Sequence, residues 1–312
     1  SVCKDDYILT ITDDQELYIQ SAWNDDILFA NEAKFVICQY GISSLVVENV
    51  LRDSHAEQLS WLEKILAIKT LKEYDHFKDF IEITERRNLF VHTDGIISRS
   101  YLKKCRNVGI IVDAALGEKI EAKPEYIIRC HNVIMETGVK LSQVIWRKLN
   151  ISIETCDESL QDVTFDCLNA GHYDLAQVLL KFATNDVKKY SNVDFEWVFR
   201  VNHALSYYLA GKKEQSNAII REKNWSALDV RYRIAEAVIL EKFSDAQKLM
   251  HKIGKDEEFQ INYQQWPLFR IFRKSQEFNS SYEEIFGKPF VYEETNGSHV
   301  NEIIEENINN QE

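Results

Sequence analysis

Proline is nearly missing from this chain, with 3 in 312 residues, and only 10 glycines accompany them. Sandwiches and barrels built on many tight turns need more of both, so the shortage favours helices. Long apolar runs are missing as well. No stretch reaches 18 apolar residues, which excludes a membrane-spanning helix, and the start of the chain carries no signal-peptide pattern. The first residue is Ser rather than Met, which suggests a processed or trimmed chain. Six cysteines are present, but none forms a Cys-x-x-Cys pair or has a His at zinc-ligand spacing. Cys130 and His131 are adjacent, and neighbours on a helix do not chelate together. Free thiols in a reducing cytosol, with no metal and no cofactor, are the simplest reading. Gly-rich phosphate loops, Gly-x-Ser-x-Gly phrases and paired-carboxylate sites are also missing. A soluble cytoplasmic protein is expected.

The formal charge is −13. Affinity for phosphate chains comes mainly from Lys and Arg, so the acidity argues against a broad nucleic-acid-binding surface. The charge is uneven, however. Residues 51–110 hold 11 Lys and Arg against 9 Asp and Glu, while the chain from Tyr292 onward holds six Glu and no cation. A local basic site within an acidic protein remains open.

Helical periodicity organises the first half. After a lead-in over 1–26, one helix is expected over 27–51 and a second over 56–68. A third is expected over 75–92, with Phe77, Phe80, Ile81, Thr84 and Val91 as its apolar stripe. Asp94-Gly95 stops it, since Gly supplies the positive φ that a helix end often needs. A short helix follows over 98–106, then a loop over 107–123 with a brief extended piece. Pro124 opens a long helix at the first turn, where Pro is tolerated. Its expected inward stripe is Ile127, Ile134, Leu141 and Ile145. His131 on that helix reads as a packed residue.

The second half, over 157–290, carries a phrase that recurs about every 30–40 residues, the period of a helical solenoid. The three copies run Phe165 to Ala176, His203 to Ala218 and Ala235 to Ala246. Each has small and aromatic residues on its first helix, a polar turn, then an Ala early in the second helix that lets the paired helices approach closely. These hairpins resemble tetratricopeptide repeats, although the family's Trp and closing Pro are missing. Aromatic residues over 262–287 predict one or two capping helices. The polar, acidic segment 292–312 reads as disordered.

The phrase Glu85-Arg86-Arg87-Asn88-Leu89-Phe90-Val91-His92-Thr93-Asp94-Gly95 concentrates chemistry. At 100° per residue, Asn88 falls near the centre of the stripe, His92 about 40° to one side and Arg87 about 100° to the other. An Asn in such a stripe must find hydrogen-bond partners. Arg87, the polar Asn88 and then His92 resemble the ribonuclease-type motif of HEPN domains, over roughly residues 27–150. The expected architecture is therefore all-α, a HEPN-like helical bundle followed by a TPR-like α-solenoid. The resemblance implies homodimers in which two motifs form a composite, metal-independent RNase site, as in anti-phage and toxin–antitoxin systems. Arg87 and His92 would be catalytic and Asn88 supporting. Arg86, Lys103 and Lys104 are candidates for binding single-stranded RNA. A His can act as general acid or base near neutral pH, and an Arg can stabilise the charge of a phosphorane.

A second reading stays open. His92 can be a helix-end residue favoured by the macrodipole, with Arg86 and Arg87 paired to Glu82 and Glu85 on the helix surface. The chain would then be a non-catalytic scaffold, with a HEPN-like dimerisation half and a solenoid that presents a concave surface to a protein partner.

Overall fold

The computed structural model describes residues 54–68, 76–149 and 152–292. These residues are mainly helical, and no strand occurs among them. The all-α class expected from the scarcity of Pro and Gly is the class the chain adopts. No described helix is long and apolar enough to cross a membrane. The lead-in 1–26, the helix expected over 27–51 and the tail beyond Tyr292 lie outside the described residues. Contacts divide the chain into two compact units, Ser1–Asn150 and Ile151–Glu312.

The first unit contains α1 (His55–Leu66), α2 (Phe77–Thr93), α3 (Arg99–Asn107) and α4 (Pro124–Lys148). Glu57 reaches back to the Ser54 N–H at 3.0 Å, which satisfies an amide that the start of α1 would otherwise leave open. Ser98 caps α3 by accepting from the Tyr101 N–H. Leu89 on α2 packs with Ile97, Tyr101 and Cys105, and Ile110 and Ile120 of the following loop close over them. That loop contains the brief extended piece that was expected: Ile96 and Lys119 form an isolated antiparallel bridge.

Pro124 does sit in the first turn of α4. The inward face of that helix differs from expectation. Leu141 and Ile145 are buried, but Ile127 is 53% and Ile134 48% exposed, and Val133 and Thr137 take the inner positions. His131 is exposed too. The physical reason is Tyr126, whose hydroxyl donates to the buried Glu82 of α2 at 2.9 Å. Turning Tyr126 inward rotates its neighbours Ile127, His131 and Ile134 outward.

The second unit is three successive helical hairpins: α5 (Ile153–Asn169) with α6 (Tyr173–Asn185), α7 (Val193–Leu209) with α8 (Lys213–Arg221), and α9 (Val230–Ile239) with α10 (Phe243–Ile253). Helix α7 packs against both α5 and α9. The three turns are alike. Gly171, Gly211 and Glu241 each take a positive φ, of 79°, 76° and 55°. The next N–H then returns to the first helix: His172 to the Cys167 carbonyl, Lys212 to Tyr207 and Lys242 to Ala237. Five residues after each positive φ, a small residue is fully buried: Ala176, Ser216 and Ala246. In the second hairpin this corrects the sequence reading, which placed Ala218 there. Ala218 is exposed, because the turn at Gly211 fixes the register.

Beyond the hairpins lie α11 (Glu257–Gln265), α12 (Phe269–Phe272) and α13 (Gln276–Phe286), in the region where capping helices were expected. Tyr263 is their centre, with Phe259, Phe269 and Phe278 edge-on to it at 5.1, 5.0 and 5.7 Å between ring centroids. Such edge-on packing suits the ring quadrupoles.

Ser216 leads to a prediction. Its hydroxyl is buried without a hydrogen-bond partner, and the equivalent positions of the other hairpins hold Ala. A buried hydroxyl without a partner costs about 1–3 kcal/mol. Ser216→Ala is therefore expected to stabilise the chain by about 1 kcal/mol in urea unfolding; equal or lower stability would refute this account of the site.

Candidate functional site

The end of α2 is shaped by its stop signal. Asp94 and Gly95 both have positive φ, 53° and 80°. The amides of both turn back to the Leu89 carbonyl. Thr93 Oγ1 lies 2.9 Å from the carbonyls of both Leu89 and Ile96. A side chain at Gly95 would meet the Ile120 carbonyl at 2.9 Å, so this position needs glycine for space as well as for conformation. Backbone bonds from Ile97 to Glu118 and from Ile120 to Gly95 tie the helix end to the following loop. An exposed ion pair between Lys119 and Asp94 lies across the same junction.

This closure places the three motif residues. His92 is exposed in the last turn and makes no hydrogen bond or ion pair among the described residues. Arg87 is also exposed, and its Nη1 donates to Asn88 Oδ1 at 3.3 Å. Asn88 is half-buried. The inward face of α2 is not centred on Asn88 as the stripe implied. Val91 is 57% exposed, while Glu82, Glu85 and Leu89 are buried. Arg87 and Asn88 are thus brought together, whereas His92 lies about 140° around the helix from Arg87.

The candidate RNA-binding residues divide. Arg86 Nε donates to Glu82 Oε1 at 2.6 Å, as the surface-pair reading expected, but Glu82 is buried rather than on the surface. Lys104 bonds both oxygens of the buried Glu85, at 2.8 and 2.9 Å. Lys104 thus holds α3 to α2. Lys103 is exposed and carries no ion pair among the described residues. The sequence reading missed its companions Arg99 and Arg106, which are exposed in the same way. Their spacing from Lys103 was the available signal: residues 99, 103 and 106 fall within about 60° on a helix. Three like charges on one face repel one another unless an anion lies across them.

Glu82 is the centre of a buried network. Besides Arg86 it accepts from the hydroxyls of Tyr101 at 2.7 Å and Tyr126 at 2.9 Å. The guanidinium of Arg86 lies over the Tyr126 ring at 4.2 Å. Burial, followed by the influence of Glu82, pushes both phenols well above the usual tyrosine range. The same two causes push the Cys105 thiol up to about 11. Cys105 therefore stays protonated at neutral pH and is a poor nucleophile. Among the described residues, no three His, Cys, Asp or Glu cluster as metal ligands.

Compared with known proteins, the chain matches no family model, no curated protein and no solved structure.

Proposed function

We propose that this protein is a metal-independent endoribonuclease of the HEPN type, acting on single-stranded RNA in the cytoplasm, with Arg87 and His92 catalytic and Asn88 positioning Arg87. One observation carries the reading: His92 stands exposed and uncommitted at a hydrogen-bonded helix end, on the same helix as an Arg87–Asn88 pair. The RNA 2′-oxygen would attack phosphorus while the bond to the 5′-oxygen breaks. His92 would take the 2′-hydroxyl proton or give one to the departing 5′-oxygen, water would carry the other proton, and Arg87 would hold the phosphorane charge. The products are a 2′,3′-cyclic phosphate and a free 5′-hydroxyl. The angular separation of Arg87 and His92 supports a homodimer, in which one copy's Arg87 works with the His92 of a second. The stripe of Arg99, Lys103 and Arg106 offers a track for the phosphate backbone. A role in anti-phage defence or as a toxin accords with the resemblance.

The test is RNA cleavage by the full chain, with and without a chelator. Wild type is expected to cut in both conditions, and His92→Ala to lose about 10²-fold or more while keeping its helical circular dichroism. Cleavage that survives His92→Ala, or that stops with the chelator, would overturn the assignment.

A second reading draws support from the matching turns of the second unit. Stacked hairpins of this kind suit a TPR-like surface for a protein partner. Wild-type protein that leaves RNA intact while His92→Ala loses stability would favour this scaffold reading.

A further inference from the structure

We infer that the segment Trp266–Arg270 is a built-in ligand. It occupies the face that α5 and α7 present and closes it to a partner segment of the same chemistry, an aromatic N–H donor followed four residues later by an Arg. The inference rests on the second reading above, that the hairpins offer a surface to a protein partner.

The segment owes its shape to Pro267, one of only 3 prolines. A residue before proline is pushed out of the helical region. Trp266 accordingly ends α11 in an extended conformation, with φ −69° and ψ 121°. The chain then turns tightly, with the Phe269 N–H donating to the Trp266 carbonyl and the Arg270 N–H to that of Pro267, both at 3.1 Å. Leu268 and Phe269 are buried in the aromatic cap. Trp266 and Arg270 flank them and stay half-buried.

These two side chains pass over the nearest hairpin. In an array of repeats each unit contacts its neighbours. The cap follows that rule where α13 packs on α10 and Phe272 meets Phe243 at 5.4 Å between ring centroids. Trp266 Nε1, by contrast, donates to Asn202 Oδ1 on α7 at 2.9 Å. Arg270 Nη2 donates to Asn169 at the end of α5, to its carbonyl at 3.2 Å and to its Oδ1 at 3.0 Å. The acceptors belong to the first helices of the second and first hairpins, 64 and 101 residues away in sequence.

Both acceptors suit a ligand. Asn202 is 1% exposed and sits in an otherwise apolar row. Phe195, Val198 and Leu209 fall within about 40° of it around the helix, and all three are half-buried. A buried amide in such a row needs a hydrogen-bond partner. Asn169 closes α5, where open carbonyls and the negative end of the helix dipole favour a cation. Neither α11 nor α12 packs along α5 or α7 as the hairpins pack on one another. Two side chains therefore carry the contact, and a segment that brings the same two donors can replace it. The formal charge of −13 favours a basic partner.

The experiment titrates the full chain into a fluorescently labelled synthetic peptide of residues 262–274. Trp266→Ala/Arg270→Ala, with the face opened, is expected to bind it at least about tenfold more tightly than wild type, the gain that follows if the segment is seated in about nine molecules in ten. Asn202→Ala added to the opened chain should remove that gain. A peptide that itself carries Trp266→Ala and Arg270→Ala should bind neither protein. Arg270→Ala alone alters one half-buried side chain; it is expected to unfold thermally like wild type and to gain at least about threefold, which keeps the test decisive if the double variant misfolds. If wild type binds the peptide as tightly as the opened chains, the inference fails while the partner surface stands. If no protein binds it, both fail. Equal binding of the altered peptide would overturn the proposed chemistry, and wild-type dimers formed by exchanged segments, read by sedimentation, would overturn occupation within one chain.

Discussion

Glu82→Ala is expected to destabilise the first unit by about 3–5 kcal/mol, the loss typical when one partner of a buried charged network is removed. Glu82 accepts from Arg86, Tyr101 and Tyr126 at once. Tyr101 is 1% exposed, so its hydroxyl cannot turn to water instead. Arg86 would keep its place over Tyr126 without its counter-charge. The change would therefore strand donors from three helices rather than delete one contact. Chemical denaturation of the full chain measures the total, and amide hydrogen exchange localises it to α2, α3 and α4. Glu82→Gln retains an acceptor and is expected to lose less than Glu82→Ala. A loss below about 1 kcal/mol for Glu82→Ala, with exchange unchanged, would show that the network adds little to stability.

The second unit should weaken as pH falls from about 6.5 to about 4. His203 on α7 is buried, its Nδ1 lies 3.2 Å from Thr184 Oγ1, and its Nε2 has no partner. Burial, then the nearby charges of Arg200 and Lys181, push its pKa down to about 4 from an ordinary value of 6.5. Between these values the unfolded chain binds a proton that the folded chain refuses. Stability is therefore fully present above pH 6.5 and drains away as pH falls toward 4, by about 1 kcal/mol per pH unit and about 3 kcal/mol in all. Urea unfolding at pH 6.5 and pH 5 measures the slope above the range where most carboxylates titrate. His203→Phe should flatten that slope; an equal slope in both proteins would rule out His203 as its source.

Local signals in the sequence located the elements well, and distant partners set what the sequence concealed. Asp94-Gly95 marked the end of α2, and Pro124 the start of α4, because both act through their own backbone geometry. The hairpins were visible because their turns and small residues recur. The inward faces were harder to read. Glu82 and Glu85 looked like surface charges, yet both are buried because their donors arrive from Tyr101, Lys104 and Tyr126, at 19 and 44 residues' distance. No local period records such a partner. The same network explains why Asn88 is only half-buried and why Arg86, adjacent to Arg87, has a different role. In the second hairpin, composition favoured Ala218, but the geometry of the turn selected Ser216.

Glu241 gives the third turn a property the first two lack. Glycine at Gly171 and Gly211 lets the chain reverse but can hold nothing. Glu241 accepts the same positive φ at some conformational cost, and its carboxylate is gripped by Tyr208 of α7 and Lys213 of α8. The residue that reverses the chain is also the residue that fastens it to the preceding hairpin. Opening the third turn therefore also breaks contacts to the second hairpin. An array of stacked repeats is held together by contacts between neighbours, and the turn between α9 and α10 adds two such contacts to the hairpin before it.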